Sequence, residues 1–171
     1  AAAAGAAPTP AGDYQIGPGD VLEISAWKNV DLSRVVTVLP DGRISFPLLG
    51  EIVAGGKSPA ALRDEMVERL KRFSPDPGLT VTVQQVNSMW IYVIGRVRQP
   101  GRFQVNGAMN VMQALAVAGG LDSFADRDRI AVFRETGGKT VIFDFDYDDV
   151  ASGKRLEQNI ALMRGDVVVV R

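Results

Sequence analysis

Four aspartates crowd one short stretch, Asp144, Asp146, Asp148 and Asp149. Carboxylates so close together can share a cation. If the stretch is a strand, Asp144 and Asp146 point one way while Phe143, Phe145 and Tyr147 point the other. A half-buried strand with a solvated face has the same pattern, and calcium-loop spacing is absent. Arg96, Arg98 and Arg102 cluster about one hairpin, where they can meet an anionic ligand or an acidic neighbour, or simply keep an exposed edge from aggregating. Trp27 and Trp90 can stack on sugar rings, but tryptophan is more usual in a core or a subunit interface. Gly55-Gly56-Lys57-Ser58 resembles a phosphate loop, but Gly50 stands one residue too far upstream for that spacing. Ser58 as N-cap and Pro59 as first helical residue fit it better.

Other chemistry is excluded by residue type. The chain has no histidine and no cysteine, which removes the commonest general base, the commonest metal ligand and every thiol. No serine lies in a Gly-x-Ser-x-Gly or Ser-x-x-Lys setting. A carboxylate pair for glycoside hydrolysis needs no local motif, and nothing favours one here. The net charge is −1, which argues against a nucleic-acid binder. With 46% hydrophobic and 23% charged residues among 171, the composition is that of a globular protein of one large or two small domains. No apolar run reaches the roughly 18 residues of a membrane helix.

The elements that would position these residues follow in order. Residues 1–12 are small and carry two prolines, which predicts a flexible tail with folding from Asp13. Val21–Trp27 reads as a strand with Leu22, Ile24 and Ala26 on one face. Arg34–Leu39 and Arg43–Phe46 should pair as a hairpin through Pro40-Asp41-Gly42. A helix follows Ser58, with Leu62, Met66, Leu70 and Phe73 inward. Leu79–Val86 alternates as a strand with Leu79, Val81 and Val83 inward. This makes a β-β-β-α-β unit over residues 13–87. Asn87-Ser88 is a minimal junction, so the two units are expected to pack closely.

The second unit, residues 88–171, opens on the apolar run Trp90–Val97. A turn at Gln99-Pro100-Gly101 and a short strand, Arg102–Val105, lead to a helix carrying Met109, Met112, Leu115 and Val117. Gly119-Gly120 suits its left-handed cap. A hairpin feeding one helix is the first half of a β-grasp arrangement. Strands at Ile130–Arg134, Thr140–Tyr147 and Val167–Val170 complete an α+β chain of two small β-rich units. Ile16–Ile24 (I-G-P-G-D-V-L-E-I) and Leu162–Val170 (L-M-R-G-D-V-V-V-V) echo one another, each with Gly-Asp ahead of a buried strand.

Taken together, Tyr14–Ile24, Pro40–Ser58, the P-D-P-G-L-T-V-T-V stretch, V-I-G-R-V-R-Q-P-G-R-F-Q-V through A-V-A-G-G, and the closing R-G-D-V-V-V-V resemble the bacterial outer-membrane polysaccharide export (OPX) family. The first part resembles its polysaccharide-export domain. The second resembles the soluble-ligand-binding β-grasp (SLBB) domain that follows it. The resemblance covers about Asp13 to Arg171. It implies a non-catalytic component of capsule or exopolysaccharide export with no cofactor, in the periplasm and associated with the outer membrane through a lipid anchor upstream of Ala1 or through partners. Implied partners are the polysaccharide, an inner-membrane polysaccharide co-polymerase and further copies forming a ring. Long relatives build the outer-membrane pore from a C-terminal amphipathic helix. This sequence ends at Arg171 without one, so it reads either as a trimmed piece or as a short member, an adaptor on a separate outer-membrane β-barrel. The alternative is a periplasmic carbohydrate-binding β-grasp module that holds polysaccharide without moving it. Loop prominence selects Gln99–Arg102 and Leu121–Arg129 as contact loops, with Arg98, Gln99, Arg102, Asp122 and Arg127 as candidate ligand or partner residues.

Overall fold

The computed structural model describes Tyr14–Arg171; the expected tail lies outside the described residues. Two compact units divide the chain, the first ending at Ser88 and the second running Met89–Arg171. Each has its own apolar core.

In the first unit, β1 (Val21–Ala26) lies between β2 (Arg34–Thr37) and β5 (Leu79–Gln85), antiparallel to both. β3 (Arg43–Phe46) and β4 (Gly50–Val53) pair separately. The structure thus adds β4 to the expected strands and corrects the expected hairpin. The Pro40-Asp41-Gly42 turn forms, with the Gly42 N–H donating to the Leu39 carbonyl at 2.8 Å. Its flanking strands then part, β2 into one sheet and β3 into the other. A turn signal fixes the bend, whereas strand pairing is settled by non-local burial. α1 (Pro59–Leu70) starts as its sequence predicts, the Ser58 hydroxyl accepting from the Ala61 N–H at 3.2 Å. Leu62, Met66 and Leu70 are fully buried, each worth about 1.5–3 kcal/mol of apolar burial. Phe73, expected inward, is 58% exposed because α1 ends before it.

The second unit is one five-stranded mixed sheet, in the order β7 (Gly101–Gln104), β6 (Trp90–Gly95), β10 (Val167–Val170), β8 (Ile130–Thr136), β9 (Lys139–Phe145). Its first and last strands, β6 and β10, are parallel neighbours at the centre, and the other pairs are antiparallel. α2 (Val111–Val117) buries Val111, Ala114 and Leu115. Met109, expected on the helix, lies just before it and packs partly buried against the core, as does Met112, while Val117 on the helix is exposed. Asn110 and Gln113 cap the helix reciprocally. At its other end the Gly120 and Gly119 N–H groups donate to the Leu115 and Ala116 carbonyls, the left-handed cap read from Gly-Gly. β6 stops at Gly95 because the strand bends there with φ +98°, and a Cβ would sit 1.9 Å from the Val170 carbonyl oxygen. Only glycine fits. β9 stops at Phe145, so Tyr147 opens the short α3 (Tyr147–Ala151) instead of closing a strand.

Candidate functional site

The two Gly-Asp sequences make the same turn. Gly19 and Gly165 hold φ of +90° and +83°. The Asp20 N–H donates to the Gly17 carbonyl and the Asp166 N–H to the Met163 carbonyl, at 3.2 and 3.1 Å. Each carboxylate then turns back on its own turn. Asp20 accepts from the Gly17 N–H at 2.9 Å and Asp166 from the Met163 N–H at 2.7 Å. Both aspartates are completely buried.

Their further partners differ. Asp20 also accepts from the Tyr14 hydroxyl, from the Asn87 and Ser88 N–H groups at 2.8 Å each and from the Ser88 hydroxyl at 2.9 Å. Burial alone would push this carboxyl up; the donors from Tyr14, Gly17, Ser88 and Asn87 outweigh it and hold it below its ordinary value. Asp166 takes a two-pronged pair with Arg134, at 2.9 Å from Nε and 2.6 Å from the terminal nitrogen. The Arg134 side chain is 14% exposed, stacks over Phe143 and also donates to the Ala161 carbonyl at 2.9 Å. These are structural clasps. One joins the entry and exit of the first unit, and the other fixes β8 to the turn ahead of β10.

Of the expected contact residues, the structure brings three together. The Arg98 N–H donates to the Gly120 carbonyl at 3.1 Å, the Gln99 N–H to the Ala118 carbonyl at 2.9 Å and the Asp122 N–H to the Arg96 carbonyl at 3.0 Å. This ladder, with Val97 facing Leu121, places Arg98, Gln99 and Asp122 on one lip beside the end of α2. Asp122 also accepts from the Phe124 N–H at 2.7 Å, and Phe124 is 76% exposed. The lip offers donors, a carboxylate and an aromatic ring, groups suited to contact rather than bond-making.

Arg102 and Arg127 lie apart from that lip. Arg102 stands on β7 with its guanidinium 4.0 Å from the Trp90 ring centre. Arg127 pairs with Asp148 at 2.9 Å and covers the Tyr147 ring at 4.8 Å. The acidic stretch is similarly divided. Asp146 caps α3 through the Asp149 N–H, Asp148 meets Arg127 and Asp149 meets Arg155 at 3.3 Å. Among the described residues no group of three or more metal-ligating side chains comes together. Lys57 of the rejected phosphate loop pairs with Glu65, whose carboxyl that lysine holds below its usual value. Trp27 is 76% exposed, which corrects a core reading for it. Arg134 was missed by sequence reasoning because its partner is distant in the chain; only the Gly-Asp echo pointed towards it.

No helix among the described residues is long and apolar enough to cross a membrane, which says nothing of strands. The family model for a polysaccharide biosynthesis/export protein matches residues 8–84, and the SLBB domain model matches residues 90–144. The chain is 32% identical over 151 residues to the EPS I polysaccharide export outer membrane protein EpsA of Ralstonia solanacearum, covering 74% of this chain and 40% of that protein. It is 28% identical over 172 residues to the capsule polysaccharide export outer membrane protein CtrA of Neisseria meningitidis serogroup A, covering 89% of this chain and 43% of that protein. It is 26% identical over 111 residues to the polysialic acid transport protein KpsD of Escherichia coli, covering 64% and 20%. The chain therefore spans less than half the length of these relatives. With the export-domain match followed along the sequence by the SLBB-domain match, the chain belongs to the outer-membrane polysaccharide export family.

Proposed function

We propose that the chain is a non-catalytic part of a capsule or exopolysaccharide export machine, a periplasmic ring or adaptor between an inner-membrane co-polymerase and an outer-membrane exit. The observation that carries this reading is the order of the two domains along one chain, shared with relatives named for polysaccharide export at the outer membrane. The lip of Arg98, Gln99 and Asp122 is proposed as a contact surface for the polymer or a neighbouring protein. A translocation surface needs many weak polar contacts, because tight binding would stall a moving polymer. Repeated copies of a single chain close a ring through heterologous contacts.

Light scattering over a wide concentration range, with and without a membrane-mimetic surface, tests the assembly. A ring component gives one discrete large oligomer. A strict monomer under all conditions removes the self-assembling ring and leaves the adaptor docked on a separate barrel. A monomer that also binds glycan tightly contradicts both and favours a holding module.

A further inference from the structure

The sheet of the second unit keeps one face open beside β8 and β9, and a cleft of about 500 Å³ lies there. Phe133 on β8 and Ile142 on β9 are direct neighbours across the strands, and Ala131 faces Asp144 one step along, so these four share one face. Ile142 is 55% exposed. Asp128 and Arg129 reach the cleft from the loop before β8, and Asp146, Arg155 and Arg171 complete its charged lining. Three carboxylates therefore stand against three guanidinium groups around an apolar floor.

The charged groups are not all spent on the fold. Asp146 caps α3 and Arg155 pairs with Asp149. Among the described residues, the side chains of Asp128, Arg129 and Asp144 make no hydrogen bond or ion pair. They line the cleft. Free carboxylates accept from hydroxyls, and a guanidinium donates to ether and hydroxyl oxygens. An apolar floor suits the C–H face of a pyranose ring, and the volume is that of a small-ligand site. Balanced charge gives a polyanion no net attraction.

We propose that this cleft is a weak contact site for neutral, hydroxyl-rich glycosyl units of a polymer. Asp128 and Asp144 accept from sugar hydroxyls, Arg129 donates to sugar oxygens, and Phe133 with Ile142 supports the ring. The proposal rests on the polysaccharide reading above and names the class of sugar.

The test titrates the 15N-labelled chain with the neutral probes maltopentaose and cellopentaose and with the acidic probe pentagalacturonate. A neutral probe should move the amides of residues 128–131 and 142–146, saturating in the millimolar range. Saturation transfer should be strongest on internal sugar units. The double variant D128N/D144N should bind about 10-fold more weakly, while E135Q, on the same sheet outside the cleft, should bind as the parent does. Matching thermal melts show that each variant is folded. The proposal is overturned if neither neutral probe moves these amides, if D128N/D144N binds equally well, or if pentagalacturonate binds more tightly. Transfer confined to the reducing-end unit overturns the polymer as the source. A failed titration in a chain that cells still need for export sinks the cleft alone; normal export without the chain sinks the reading beneath it.

Discussion

Asp20 and Asp166 sit in the same local turn, yet the fold satisfies each buried carboxylate with different partners. In the first unit the carboxylate is held by neutral donors from Tyr14, Gly17, Asn87 and Ser88. In the second it is held by one guanidinium and one N–H. The comparison shows what a short motif determines. Gly-Asp ahead of a strand dictates the turn and aims the carboxylate at the N–H three residues back. It does not dictate what neutralises the burial; distant chain does that, and the two units solve it separately.

The largest effect should come from removing the charge partner. Asp166→Ala leaves the mostly buried Arg134 without a counter-charge and should cost about 3–5 kcal/mol in urea unfolding. Asp20→Ala strands several donors but no charge, so it should cost less, about 2–3 kcal/mol. Equal costs would break the distinction between the clasps.

The double variant R134M/D166L sharpens it further. Replacing both members of a buried pair with apolar groups should recover most of the Asp166→Ala loss, whereas no single apolar replacement can satisfy the donors around Asp20. A double-mutant cycle reads this directly.

Acid should act on the first unit through Asp20. Its folded value lies below the ordinary 3.8. Its contribution is therefore present above that value and is lost as pH falls through the lower folded one. Asp20→Asn should flatten that part of the pH–stability curve. An unchanged acid limb would mean that other carboxylates govern it. Smallest of all, Tyr14→Phe removes one donor, should cost about 1 kcal/mol, and should raise the Asp20 pKa.

Local signals were legible in the sequence wherever one residue decides the outcome. Ser58 as a cap, Gly119-Gly120 as a helix stop and the inward face of β1 all follow from neighbouring residues. The β-grasp order of the second unit followed from a hairpin, a helix and a closing strand. The separation of β2 from β3 was not legible, because a turn sets direction and not pairing. Phe73 was misplaced, and the core half of the core-or-interface reading for Trp27 failed, because apolar character gives no guarantee of burial. Arg102 and Arg127 stand in the expected contact stretches, and their neighbours in the fold, the Trp90 ring for one and Asp148 with the Tyr147 ring for the other, were not legible in the sequence. The cleft combines residues from the loop before β8, from β8 and β9 and from the chain after α3, so only the folded sheet assembles it.

The proposal that this chain is part of a machine that moves polysaccharide without altering it is tested most directly by deleting its gene and following the polymer. The account predicts that surface polymer falls sharply, that polymer accumulates inside the outer membrane, and that its chain length and linkage are unchanged. Normal surface polymer, or exported polymer of altered length or linkage, would contradict it.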